Sequence, residues 1–282
     1  MNKLYISDLD GTLLNSRGIL SPFSQKHITR LIRAGIPFTI ASARNIVSIQ
    51  KIFHSVPLKL PVISGGGAYI SDCATGKHEY INGIPQNTAE AVFQTIREYG
   101  VYPFISSFNK EDHLNFLDVS FNDGMSWYFH DRIAVEDKRL RKILKPEQAL
   151  KEKVITFIII DKEEPIGELH GILEDSFGDA LQMHIMENLY NKGWFWLSVH
   201  DRKSRKEIAA EILLSLLGYS REDLVVFGDN VNDIGLFWFA GTAVAVKNAE
   251  ESVKSISSEI TGTNDEDSVV RYIMKNEIPE RK

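Results

Sequence analysis

The chain has 282 residues, 43% of them hydrophobic and 25% charged, with 19 Gly and 9 Pro; this excludes a disordered, collagenous or coiled-coil protein and leaves room for about two domains. Its one cysteine, Cys73, has no intrachain disulfide partner, and no Asn-x-Ser/Thr sequon or N-terminal signal pattern occurs, so an intracellular, cytoplasmic protein is expected. The 32 basic and 38 acidic residues give a net charge of −6, which is not the footprint of a nucleic-acid binder, and no apolar run approaches the ~20 residues of a membrane span.

The run Lys3 to Ser7, stopped by the turn chemistry of Asp8-Leu9-Asp10-Gly11-Thr12, predicts a buried strand. Ser21-Pro22 supplies an N-cap and a first helical proline, apolar residues recur at Phe23, Ile28, Leu31 and Ile32, and Gly35 suits the residue after the helix. A strand over 36–41, a helix over 45–53 and a strand over 61–63 continue a parallel α/β rhythm.

That rhythm stops near residue 82. Between 83 and 199 the sequence predicts a helix near 88–99, aromatic-rich irregular chain over 102–131, a charged segment over 136–153, a strand over 154–160, a helix near 164–175 and a strand over 194–199. This segment carries 12 basic and 19 acidic side chains, so the whole negative balance lies within it. From about 203 the alternation returns: a helix to 217 closed by Gly218, a strand over 224–228, a helix near 232–239, a strand over 243–246, a helix over 249–257, a short strand over 259–261 and a helix over 267–275. The expected organisation is one α/β core from residues 1–82 and 200–282, split by an insertion over 83–199.

In open α/β sheets ligands bind beyond the carboxyl ends of the strands. Here those positions hold Asp8 and Asp10, then Ser42, Ala43 and Arg44, then Ser64 to Gly67, then Gly228, Asp229, Asn230, Asn232 and Asp233. Carboxylates crowded at adjacent strand ends repel one another unless a cation lies between them, and an all-oxygen donor set favours Mg²⁺. A calcium-loop reading fails, because Leu13 and Ile19 stand where that loop needs Gly and Glu.

The strings Asp8-Leu9-Asp10-Gly11-Thr12-Leu13-Leu14, Ser42-Ala43-Arg44, Lys206 and Gly228-Asp229-Asn230-Val231-Asn232-Asp233 resemble the four motifs of the haloacid dehalogenase-like (HAD) phosphatases. The segments 240–250 and 263–269 resemble its Cof-type branch, and the likeness spans essentially the whole chain. The resemblance implies a Rossmann-like parallel-sheet core with an inserted α+β cap of the C2 type that selects the substrate. It implies Asp8 as nucleophile and Asp10 as general acid and base. Leu9, Ser42, Ala43, Lys206 and Asn232 would hold the substrate phosphate, and Asp8, Asp10 (through its carbonyl), Asp229 and Asp233 would hold Mg²⁺.

Lys206 extends the apolar row of Ala209, Leu213 and Leu216 toward the helix start and is expected to point along the buried face; Lys203 is the alternative. Four positions depart from the family pattern: Ala43, Gly66 (commonly Asn), Glu207 and Ser268 (both commonly Gly). His113, His130, His184 and His200 lack metal-ligand spacing, Cys73 reads as structural, and Trp127, Tyr128, Phe129, Trp194, Phe195 and Trp196 read as cap core. The expected function is Mg²⁺-dependent hydrolysis of a small phosphorylated metabolite by a monomer or homodimer, with no nucleic-acid or membrane partner. A phosphomutase and a non-enzymatic phospholigand sensor are the alternatives.

Overall fold

The computed structural model describes residues 3–117, 119, 121–188 and 191–278. The chain divides into two compact units, one formed by the residues through Ile81 together with those from Arg205 onward, the other by Asn82–Ser204.

The first unit opens with β1 (Leu4–Ser7), α1 (Pro22–Arg33), β2 (Phe38–Ile40), α2 (Ile46–Ile52), β3 (Val62–Ser64), β4 (Tyr69–Ser71) and β5 (His78–Ile81). Side-chain caps start both helices: Ser21 accepts the Ser24 N–H, and Asn45 accepts the Ser48 N–H. Strands β4 and β5 stand outside the α/β alternation expected from the sequence, in which only a strand-like segment ahead of Cys73 is marked. In a small separate sheet β4 pairs antiparallel with β3 on one side and with β5 on the other.

The second unit contains α3 (Gln86–Glu98), β6 (Phe104–Asn109), β7 (Glu111–Leu117), α4 (Asp123–Ala134), β8 (Leu140–Ile143), α5 (Glu147–Leu150), β9 (Lys153–Asp161), α6 (Glu163–Phe177), β10 (Leu181–Glu187) and β11 (Phe195–Asp201). Its six strands form one sheet in the order β10-β11-β9-β6-β7-β8. The stretch 102–131, expected to be irregular, is instead a β6–β7 hairpin followed by a helix, and the charged segment holds β8 and α5. The hairpin hides its period because β6 is covered on both faces: Ile105 joins the cluster built with α3 and α6, while Phe104 joins a second one with Leu114, Met125 and Ile160. Tyr128, Phe129, Trp194 and Trp196 pack on that second cluster and Phe195 on the first.

The first unit resumes with α7 (Lys206–Leu217), β12 (Leu224–Gly228), α8 (Ile234–Phe239), β13 (Thr242–Ala245), α9 (Glu251–Lys254), β14 (Glu259–Ile260) and α10 (Ser268–Glu277). Helix α7 starts three residues later than the sequence suggests, because Arg205 is still extended (φ −130°, ψ 143°), and it ends at Gly218 in the left-handed conformation. Its main sheet, β14-β13-β12-β1-β2, is parallel throughout, and a bridge between Ala41 and Ile63 brings β3 alongside β2. Strand β1 lies between β12 and β2, so the carboxyl ends of three parallel strands stand side by side where the direction of winding reverses, which is where such sheets bind ligands. No helix among the described residues is long and apolar enough to cross a membrane.

Candidate active site

Beyond β1 the chain makes a wide turn over Leu9–Leu13, closed by the Leu14 N–H on the Leu9 carbonyl at 2.8 Å. Leu9 and Thr12 are buried and anchor the turn, which leaves Asp8 at its mouth, 5% exposed, and Asp10 outward. Gly11 takes φ 73°, and a Cβ there would stand 2.3 Å from Asp229 Oδ2, so glycine is what lets Asp229 close over the loop. The Thr12 hydroxyl then donates to Asp229 Oδ1 at 2.7 Å.

Beyond β12 the string 228–233 folds back on itself. Asp233 Oδ2 accepts the backbone N–H groups of Asp229 and Asn230 at 3.1 and 3.2 Å, with Gly228 leaving room beneath it. Lys206, the first residue of α7, is buried, and its Nζ donates to Asp8 Oδ1 at 2.8 Å and Asp233 Oδ1 at 2.7 Å, with Asn232 Oδ1 at 3.4 Å. Lys203 is exposed. The buried ammonium therefore belongs to Lys206.

Beyond β2, Ser42 is buried and its Oγ accepts the Arg44 N–H at 3.1 Å, which leaves its own hydroxyl proton to give. Its carbonyl accepts the Gly66 N–H, and that of Arg44 accepts the Gly65 N–H, tying the ends of β2 and β3 together. Ala43 is exposed beside them. The Asp10 carboxylate stands apart from the buried acids and pairs with the Arg44 guanidinium.

Oxygens of Asp8, Asp229 and Asp233 lie within 4.8 Å of one another. Fully ionised, the three carboxylates would exceed the one ammonium by two negative charges. Burial pushes the Asp8 carboxyl up to about 8 against the pull of Lys206, with Asp233 and Asp229 adding to the rise. Burial likewise pushes Asp229 up to about 6, against the Thr12 hydrogen bond. Burial alone would lower Lys206; Asp233 and Asp8 outweigh it and hold the ammonium charged. A hard divalent cation matches both the residual charge and the all-oxygen donor set.

Three supporting residues carry roles that the sequence reading did not assign: Thr12 on Asp229, and the asparagines of the two C-terminal strings. Asn248 Nδ2 donates to the Gly11 carbonyl at 2.7 Å, its Oδ1 accepts the Asn264 N–H at 2.9 Å, and Asn264 Nδ2 reaches the Leu14 carbonyl at 2.9 Å. The signal was the strings 240–250 and 263–269; their work is to latch the loop that carries Asp8 and Asp10. Of the departures, Glu207 packs over Gly235, where a Cβ would meet its carboxylate at 2.4 to 2.5 Å, so it is accommodated within the first unit.

A parallel α/β core thus carries acids and a serine at its strand ends and a buried lysine at the start of α7, and the family match makes it a hydrolase. The family profile of haloacid dehalogenase-like hydrolases matches residues 5–273, and the chain belongs to that family. Among named relatives, the 5-amino-6-(5-phospho-D-ribitylamino)uracil phosphatase YitU of Bacillus subtilis is 24% identical over 269 residues, covering 94% of each chain. The pyridoxal phosphate phosphatase YbhA of Escherichia coli is 25% identical over 279 residues, covering 94% of this chain and 95% of its own. A haloacid dehalogenase-like hydrolase from Bacteroides thetaiotaomicron shares the fold with a TM-score of 0.78 at 22% identity, covering 98% of this chain and 100% of that one.

Proposed function

We propose that the protein is a Mg²⁺-dependent phosphatase of small phosphorylated metabolites, working through an aspartyl-phosphate on Asp8. The observation that carries this reading is the constellation of Asp8, Asp229 and Asp233, beyond the carboxyl ends of β1 and β12, with the buried Lys206 of α7 on Asp8 and Asp233. The phosphorylated pyrimidine and the phosphorylated pyridine in the names of two relatives support the substrate class.

In the first step an Asp8 oxygen attacks phosphorus in line, the P–O bond to the leaving group breaks, and Asp10 gives its proton to the departing oxygen. In the second, Asp10 takes a proton from water as that water attacks the same phosphorus, which frees inorganic phosphate and restores Asp8. Lys206, the Ser42 hydroxyl, Asn232 and the backbone N–H groups near Leu9 and Ala43 hold the phosphoryl oxygens and oppose their charge. Asp8, Asp229, the Asp10 carbonyl and Asp233, the last through water, would hold Mg²⁺, which supplies charge neutralisation at the phosphoryl group. Substrate choice falls to the inserted unit, as its cap.

The test is release of inorganic phosphate from p-nitrophenyl phosphate and from a panel of phosphorylated metabolites by purified protein with Mg²⁺. Turnover should vanish in EDTA and in Asp8→Asn. Undiminished turnover in either sinks the mechanism, and a need for a bisphosphate activator marks a mutase instead.

A further inference from the structure

Asp10 and Arg44 stand beyond neighbouring strands and meet fork to fork. Arg44 Nε–H donates to Asp10 Oδ2 at 2.8 Å and the terminal N–H₂ to Oδ1 at 2.6 Å. With both oxygens engaged, the plane of the carboxyl group is set as well as its position, and each oxygen keeps a second lone pair, one of which carries the proton when Asp10 acts as the acid. The two side chains are 53% and 29% exposed, and an ion pair so placed adds little to stability. Its consequence is geometric. Arg44 is itself fixed at both ends of its backbone, its N–H on Ser42 Oγ and its carbonyl under the Gly65 N–H. Asp10 sits in extended backbone (φ −71°, ψ 127°) before Gly11, whose carbonyl Asn248 holds. The backbones on both sides are anchored, and the guanidinium spans the gap between them.

We propose that Arg44 is a positioning residue for Asp10, holding its carboxyl group in the orientation from which the proton passes to the leaving oxygen. The proposal rests on the phosphatase reading. It concerns a residue that acts through another, so the decisive readout depends on how much the leaving group needs that proton. An alkoxide leaves poorly without protonation, whereas p-nitrophenolate leaves readily on its own. The ratio kcat/KM reports the steps through departure of the leaving group, and so isolates the protonation from the later attack of water.

The experiment compares wild type, Arg44→Ala and Arg44→Lys on p-nitrophenyl phosphate and on a simple alkyl phosphate with no second charge, with circular dichroism confirming the fold. For Arg44→Ala the expected result is a loss in kcat/KM of about 10²-fold on the alkyl ester and less than about fivefold on the aryl ester. Arg44→Lys should lie between, and added guanidinium should restore part of the alkyl-ester activity of Arg44→Ala. Equal losses on both esters, or no loss on the alkyl ester, overturn the positioning role while leaving the phosphatase reading intact. A wild type that turns over neither ester overturns the phosphatase reading, and this inference with it.

Discussion

Lys206 Nζ lies 2.8 Å from Asp8 Oδ1, a buried contact between residues 198 positions apart. The same ammonium reaches Asp233 at 2.7 Å, so one cation holds the ends of β1, β12 and α7 together. Replacing it by an apolar chain of similar length, Lys206→Met, strands the buried acids. Stability at neutral pH should fall by about 3 kcal/mol, with Mg²⁺ restoring part of it, and activity should fall by about 10²-fold or more. Thermal unfolding with and without Mg²⁺ checks this, and an unchanged melting temperature contradicts it.

The three glycines after β3 make contrasting demands. At Gly67 (φ 106°) a Cβ would stand 2.3 Å from the Arg205 carbonyl, directly before Lys206. Gly67→Ala should therefore cost more than about 2 kcal/mol and disturb Lys206, which urea denaturation and activity together measure. Gly66 has φ 67° and ψ 16°, with nothing within 4 Å of a Cβ. Asn tolerates that left-handed conformation, so Gly66→Asn should stay within about 1 kcal/mol of wild type.

Acid sensitivity should concentrate in the second unit at Asp137, whose side chain is buried against Arg139 with Arg132 alongside. Burial opposes its charge, but the Arg139 hydrogen bonds and the two guanidinium charges outweigh burial and hold the carboxyl below its ordinary value. Below about pH 4 the unfolded chain takes up the proton more readily than the folded one. The stabilisation is therefore present above that pH and is lost as pH falls through the folded value. Asp137→Asn should lose about 3 kcal/mol at pH 7 and show a flatter acid limb in unfolding midpoints from pH 7 to 3. An acid limb as steep as wild type would refute the assignment.

Much of the core was legible because its signals are local. Ser21, Asn45 and Gly218 mark helix ends through bonds within four residues, and strands buried in a parallel sheet read as continuous apolar runs. The strand-end rule then pointed to Asp8, Ser42 and Asp229 without any knowledge of distances. The second unit was less legible. Strand β6 buries both faces, which erases its alternation, and β10 turns a mostly exposed row outward over Glu187 and its neighbours, which reads as loop.

The sequence alone determined which residue types stand at the ends of the strands, and their charge raised the expectation of a cation among them. The tertiary structure decided which side chains meet: Thr12 with Asp229, Lys206 with both Asp8 and Asp233, and Arg44 with Asp10. Local periodicity says where a strand or helix runs. The order β12-β1-β2, set by long-range packing of the sheet, is what brings residues from opposite ends of the chain within hydrogen-bond reach.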